Sequence, residues 1–224
     1  IEIRKSMGEL TNIGITQNIL AKTASHLARA RSALESQVND FAGSAVTKDH
    51  GDLLIDRHGF VMLHKEIQYR LFSKALNWVA SQTYKPRFGS LERALENVLS
   101  GRAQTLHGCF IYTKKAHIRI TREFNAIADT RVSFDLGCIW DKRWCFVPKR
   151  GVVPAQDWIV RALGLEGAKW VKANSDINVP FNSLRAHPGV FDSKGVVCAP
   201  NMVENLLVDA TFCTKLTMHC ASSY

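Results

Sequence analysis

Apolar positions recur at intervals of three and four residues from Gln17 to Ala45, where Leu20, Ala24, Leu27, Leu34, Val38, Phe41 and Ala45 form one stripe. This spacing predicts a long helix, with Thr16 placed to cap it. A second helix is expected from Lys65 to Gln82, with Ile67, Leu71, Ala75, Trp78 and Val79 on one face, before Pro86 breaks the pattern. A third, Ser90 to Leu99, buries Leu91, Leu95, Val98 and Leu99, and Gly101 is suited to end it. Between the first two helices, Leu53–Ile55 and Phe60–Leu63 flank Asp56-Arg57-His58-Gly59, which reads as a four-residue turn between extended segments. The period then changes. From Arg102 to Glu123, Leu106, Gly108, Phe110 and Tyr112 share one face, and beyond them Ala116, Ile118 and Ile120 alternate with His117, Arg119 and Thr121. That is a hairpin pattern. Lys114 and Lys115 are expected in its turn, and with His117, Arg119 and Arg122 they would make a cationic edge on a ribbon whose other face is buried.

Downstream the pattern is mostly strand-like. Val132–Leu136 and Cys138–Val147 are expected as strands, the second turning at Asp141-Lys142 between Trp140 and Trp144. These two tryptophans read as core anchors, because nothing spaces them for successive bases. A short helix is expected at Gln156–Leu163, a further segment at Ala168–Ala173 and a helical turn at Pro180–Ala186. Strands return at Gly195–Ala199, after the turn Asp192-Ser193-Lys194-Gly195, and at Leu206–Met218. The fold class is therefore α+β: residues 1–125 form a helical domain ending in a β-hairpin, and residues 126–224 a smaller strand-rich domain.

Composition narrows the function without naming it. The 224 residues carry 29 Lys and Arg against 20 Asp and Glu, a net charge of +9 that favours anionic partners. The basic residues come in dispersed pairs, as on a folded surface rather than in a disordered tail. Six cysteines, Cys109, Cys138, Cys145, Cys198, Cys213 and Cys220, show no CxxC or Cys/His zinc spacing and read as reduced, mostly buried thiols of a cytoplasmic protein. No apolar run is long enough to span a membrane, and the beginning IEIRKSMGEL, without an initiator Met or signal pattern, reads as following an upstream domain. Phosphate-loop, dinucleotide-binding, zinc-protease and serine-hydrolase motifs are all missing. The lone histidines, His50, His64 and His107, have no second ligand at a usable spacing, so no catalytic residue and no metal site is assigned.

Four segments in order carry a resemblance. LARARSALE on the long helix, YKPRFGSLERALENVLSGRAQTLHGCFIYTKKAHIRITRE, IWDKRWCFV and NSLRAHPGVFDSKGVVCAPN resemble the part that follows the catalytic domain in tRNA(Ile)-lysidine synthetases of the alphaproteobacterial type. The similarity covers most of residues 12–202, and its weight lies in the shared order. His107 stands where a second glycine is usual, Lys142 where glycine is expected in the WDGR turn, and HPGVF is an unusual form of the LPALW segment.

The resemblance implies an ATP-dependent ligase that adenylates the wobble cytidine of isoleucine tRNA and lets lysine displace AMP. In such enzymes ATP and Mg are held by an N-terminal ATP-binding domain, so this chain is expected to hold neither and to present a tRNA-binding middle and C-terminal portion. The expected contacts are Arg29, Arg31, Lys85, Arg87, Lys114, Lys115, Arg119, Arg122, Lys142 and Arg143. Isoleucine tRNA and the enzyme's own N-terminal domain are the expected partners, no membrane is expected, and a homodimer is left open. Two other classes share the same features: a stand-alone basic RNA-binding or structural module, and an enzyme with an unrecognised Cys/His site.

Overall fold

The computed structural model describes residues 2–213. Seven α-helices and twelve strands in three antiparallel sheets make up the described residues, and the α+β expectation holds. The long helix, α2 (Gln17–Ala45), follows α1 (Glu2–Asn12), and the Thr16 hydroxyl accepts the Ile19 amide as its N-cap. Only its C-terminal half is in the core. Val38 and Ala42 are buried, whereas Leu20 and Leu27 are 40% and 66% exposed, so the first four turns stand away from the body of the protein. Helix α4 (Lys65–Ala80) and α5 (Phe88–Leu99) run as expected, and left-handed Ser81 and Gly101 end their chain paths.

The expected turn at Asp56–Gly59 is instead the start of a short helix, α3 (Arg57–Met62). Asp56 accepts the Gly59 amide at 2.7 Å, and a polar quartet of this kind serves as an N-cap as readily as a turn. The chain reversal falls earlier, at His50-Gly51, between β1 (Val46–Asp49) and β2 (Asp52–Asp56). Gly51 is required there: its φ is +93°, and a Cβ would lie 2.9 Å from the Trp144 ring.

The first sheet has the order β1-β2-β5-β4-β3, with β3 (Gln104–Leu106), β4 (Cys109–Lys114) and β5 (His117–Arg122) supplying the expected hairpin. Register sets the faces. Ile111 pairs with Ile120 and Thr113 with Ile118, while Tyr112 opposes Arg119 and Phe110 opposes Thr121. The core face is therefore Cys109, Ile111, Ile118 and Ile120, packed with Leu53 and Ile55 under Leu71, Leu76 and Val79 of α4. Phe110 and Tyr112 lie on the opposite face with Arg119.

That second face is covered as well. After β6 (Arg131–Ser133), β7 (Cys138–Trp140) and β8 (Trp144–Pro148) comes β9 (Ile159–Ala162), where a helix was expected. β-Branched Ile159 and Val160 fit the slot between β6 and β10 (Pro188–Asp192) better than a helix, completing the sheet β11-β10-β9-β6 with β11 (Gly195–Cys198). Helices α6 (Gly164–Asn174) and α7 (Phe181–Ala186) close a core of Leu163, Val171, Leu184, Phe191 and Met202. Ser183 of α7 reaches the second face of the first sheet. The third sheet, β12-β8-β7, ends with β12 (Val208–Phe212), and the remainder of the expected Leu206–Met218 strand after residue 213 lies outside the described residues. Trp140 and Phe146 are fully buried beneath it, as core anchors.

Candidate nucleic-acid interface

The hairpin tip gathers cations from two separate stretches, its own turn and the start of α3. Lys114 closes β4 opposite His117, and Lys115 takes the turn at φ +53°; both lysines are exposed. The Arg57 amide donates to Ala116 O at 2.8 Å, and its guanidinium donates to Leu99 O at 3.1 Å. These bonds pin the start of α3 and the end of α5 to the tip. Exposed Arg57 thus joins Lys114 and Lys115, a neighbour that alternation alone could not disclose. The Thr113 hydroxyl, donating to Val98 O at 3.0 Å, fixes the same corner.

Lys85 and Arg87 mark the opposite end of α5, whose 12 residues span roughly 18 Å. This exceeds the ~8–10 Å screening length at physiological salt, so the two groups act as separate charged points. Exposed Tyr84 and Phe88 flank the pair, at 83% and 58% exposure. Arg29 and Arg31 are exposed on the projecting half of α2, where Arg29 donates to Ser25 Oγ at 3.2 Å. Lys142 is exposed in the turn after Asp141. None of these eight cations, Arg57 included, forms an ion pair among the described residues.

Arg119, Arg122 and Arg143 are placed differently from the sequence expectation. They are 7%, 8% and 2% exposed and belong to an internal polar joint. Arg119 donates to Asp52 at 2.5 Å, pairs with Asp49, and meets Ser183 Oγ at 3.5 Å. Arg122 holds Asp141 through two bonds of 2.9 and 3.0 Å and donates to Gly108 O at 2.7 Å. Arg143 donates to Gly51 O and lies 5.7 Å from the Trp78 ring centroid and 5.2 Å from that of Phe212. Alternation marked Arg119 as outward, and α7 covers that side. The three side chains therefore lie inside the joint and not on the exposed surface.

The joint's electrostatics follow from its burial. Burial alone would raise the Asp49 carboxyl, but hydrogen bonds from His50 and Arg119 leave it below its ordinary value. Complete burial pushes Asp52 up, opposed by Ser183, Thr121 and Arg119. Burial lowers Arg143 to about 10 despite Asp141 and Asp52 nearby. His187, buried against the Trp144 ring, is lowered to about 3 by burial, then by His50 and Arg143. Burial likewise lifts the Cys109 thiol to about 12, so it is an inert core group whose Sγ lies 3.5 Å from Leu76 O.

No family model matches the chain. It is 33% identical over 200 residues to the tRNA(Ile)-lysidine synthase of Ruegeria pomeroyi (strain ATCC 700808 / DSM 15171 / DSS-3), a match covering 89% of this chain and 46% of that protein. The tRNA(Ile)-lysidine synthase of Rickettsia rickettsii (strain Sheila Smith) is 26% identical over 139 residues, 61% of this chain and 28% of its own length. That of Rickettsia bellii (strain RML369-C) is 24% identical over 148 residues, 65% of this chain and 34% of the relative. The chain thus spans less than half the length of these relatives, and the resemblance drawn from the motif order holds over most of it.

Proposed function

We propose, from its similarity to tRNA(Ile)-lysidine synthases, that this chain is the tRNA-holding portion of such an enzyme. The observation that carries the reading is the set of seven exposed cations, Arg29, Arg31, Lys85, Arg87, Lys114, Lys115 and Lys142, with no ion pair among the described residues, and with Arg57 added at the hairpin tip. In the full reaction ATP activates the wobble cytidine of isoleucine tRNA as an adenylate, and lysine displaces AMP. ATP, Mg and the reacting groups are assigned to a separate ATP-binding domain, and none to residues of this chain.

The division of labour has a physical basis. Phosphate contacts fix the register of an RNA but carry little sequence information, so fixed cations spaced along a rigid frame read the shape of the molecule. The buried Arg119, Arg122 and Arg143 hold the hairpin, α7 and the third sheet together, keeping the cations of the hairpin tip and of the Asp141-Lys142 turn at constant spacing. Tyr84 and Phe88, beside Lys85 and Arg87, offer ring faces to any unpaired base nearby.

Charge reversal at the tip tests the reading. Lys114→Glu with Lys115→Glu is expected to weaken binding of isoleucine tRNA by at least about tenfold near physiological salt. The slope of log K against log salt should also shrink by about 1–2, at unchanged Tm. Unaltered affinity and slope would remove the tip from the interface.

A further inference from the structure

Where the hairpin meets α7, a cleft of about 190 Å³ opens between Phe110, Glu123, Phe124, Asn125, Asn182 and Arg185. It is smaller than the ~300–1,000 Å³ of sites that enclose drug-sized molecules, and its size suits one planar ring system. The Arg185 guanidinium lies 4.5 Å from the Phe124 ring centroid, and its buried Nε has no acceptor among the described residues. Phe110 is half-buried, with its ring centroid 5.3 Å from that of Tyr112. Among the described residues the side chains of Glu123, Asn125 and Asn182 have no hydrogen-bond partner. The wall residue Arg122 is fully engaged by Asp141 and Gly108 O, so its charge is already compensated.

This lining selects among ligands by chemistry. A purely apolar occupant would desolvate the half-buried Glu123 carboxylate and leave the rim amides of Asn125 and Asn182 unused. A phosphate would meet the Glu123 charge. A flat heteroaromatic ring with donors and acceptors along its edge would satisfy the rings and the polar groups together. We propose that the cleft takes one unstacked nucleobase of bound RNA, preferring a base whose exocyclic amine donates to Glu123. The assignment rests on the RNA-holding role given above and deepens it. Bases in a stem are stacked and paired, so the occupant comes from a loop or an extruded position.

The test titrates the 224-residue chain with single-stranded pentamers of adenylate and of uridylate, an RNA duplex of equal length, isoleucine tRNA and free AMP, following the side-chain amide NMR signals of Asn125 and Asn182. The adenylate pentamer should shift both amides and bind more tightly than the uridylate pentamer, the duplex or AMP. Asn182→Ala, on the exposed rim, should weaken the adenylate complex about two- to tenfold, and Glu123→Gln should erase the preference over uridylate. Silent amides while the Lys114 and Lys115 signals move would overturn the cleft and leave the RNA-holding role standing. Equal affinity for AMP and the adenylate pentamer would overturn the assignment in favour of a free-nucleotide site. Absence of binding to every RNA, isoleucine tRNA included, would overturn both.

Discussion

Lys142 occupies a left-handed backbone position, φ +56°, directly after Asp141 at φ +48°, in the three-residue turn joining paired Trp140 and Trp144. A side chain there costs roughly 1–2 kcal/mol that glycine avoids, which is a physical reason for the glycine that the resemblance leads one to expect at this place. Lys142→Gly should therefore raise stability by up to about 1 kcal/mol in denaturant melts while weakening tRNA binding; a loss of stability would mean the lysine makes a stabilising contact. His187 gives a pH signature. Held neutral at a folded pKa of about 3, against an ordinary 6.5, it binds fewer protons folded than unfolded between those values. Its contribution is intact above pH 6.5 and is lost progressively as pH falls towards 3, with a slope approaching ~1.4 kcal/mol per pH unit. His187→Phe should flatten the acid side of a Tm-against-pH curve, and an unaltered slope would exclude His187 as its source. Caps and core tryptophans at this scale were legible because Thr16 and Trp140 act through neighbours close in sequence. The orphaned ring of His187 was not, since His50, Arg143 and Trp144, which face it, lie more than 40 positions away in sequence.

Among the elements, α2 best separates pattern from burial. Its stripe is continuous in sequence, yet Leu27 is 66% exposed and Val38 fully buried. Periodicity reports which residues could share a face, and only the tertiary structure says whether anything packs on it. Amide exchange should be fast over residues 17–33 and slow over residues 36–45, and Val38→Ala should cost about 1–3 kcal/mol while Leu27→Lys costs almost nothing. Uniform protection along the helix would show that its first half is covered. The β4–β5 hairpin was legible as a hairpin from its alternation and basic turn. Its buried second face was not, because the covering helix α7 begins about 60 residues later. Segment 156–163 was misread for a related reason: a short apolar run carries no clear period, and only pairing with β6 and β10 makes it β9.

Across the whole molecule, the first sheet is tied to the later strands by charge and stacked rings together. Arg119 bridges Asp49 and Asp52 beside Ser183, and Trp78 of α4 stacks on Phe212 with centroids 5.1 Å apart and planes within 9°. Removing one member of a buried ionic cluster exposes the cost of burying the others. Arg119→Met is thus expected to destabilise by about 3–5 kcal/mol in chemical denaturation, with partial recovery when Asp52→Asn is added. Additive losses would mean the two side chains act independently. The α+β class and the basic balance were readable from sequence, but the inward turn of three arginines was not, since a charge pattern records sign and position and not the partner that neutralises it. The central claim is that the remaining exposed cations hold tRNA phosphates on this rigid frame. Its most direct test is the dissociation constant for isoleucine tRNA measured between 50 and 200 mM salt: with six or more phosphates engaged, affinity should fall by about a thousandfold or more. A dissociation constant that stays level across that range would contradict it.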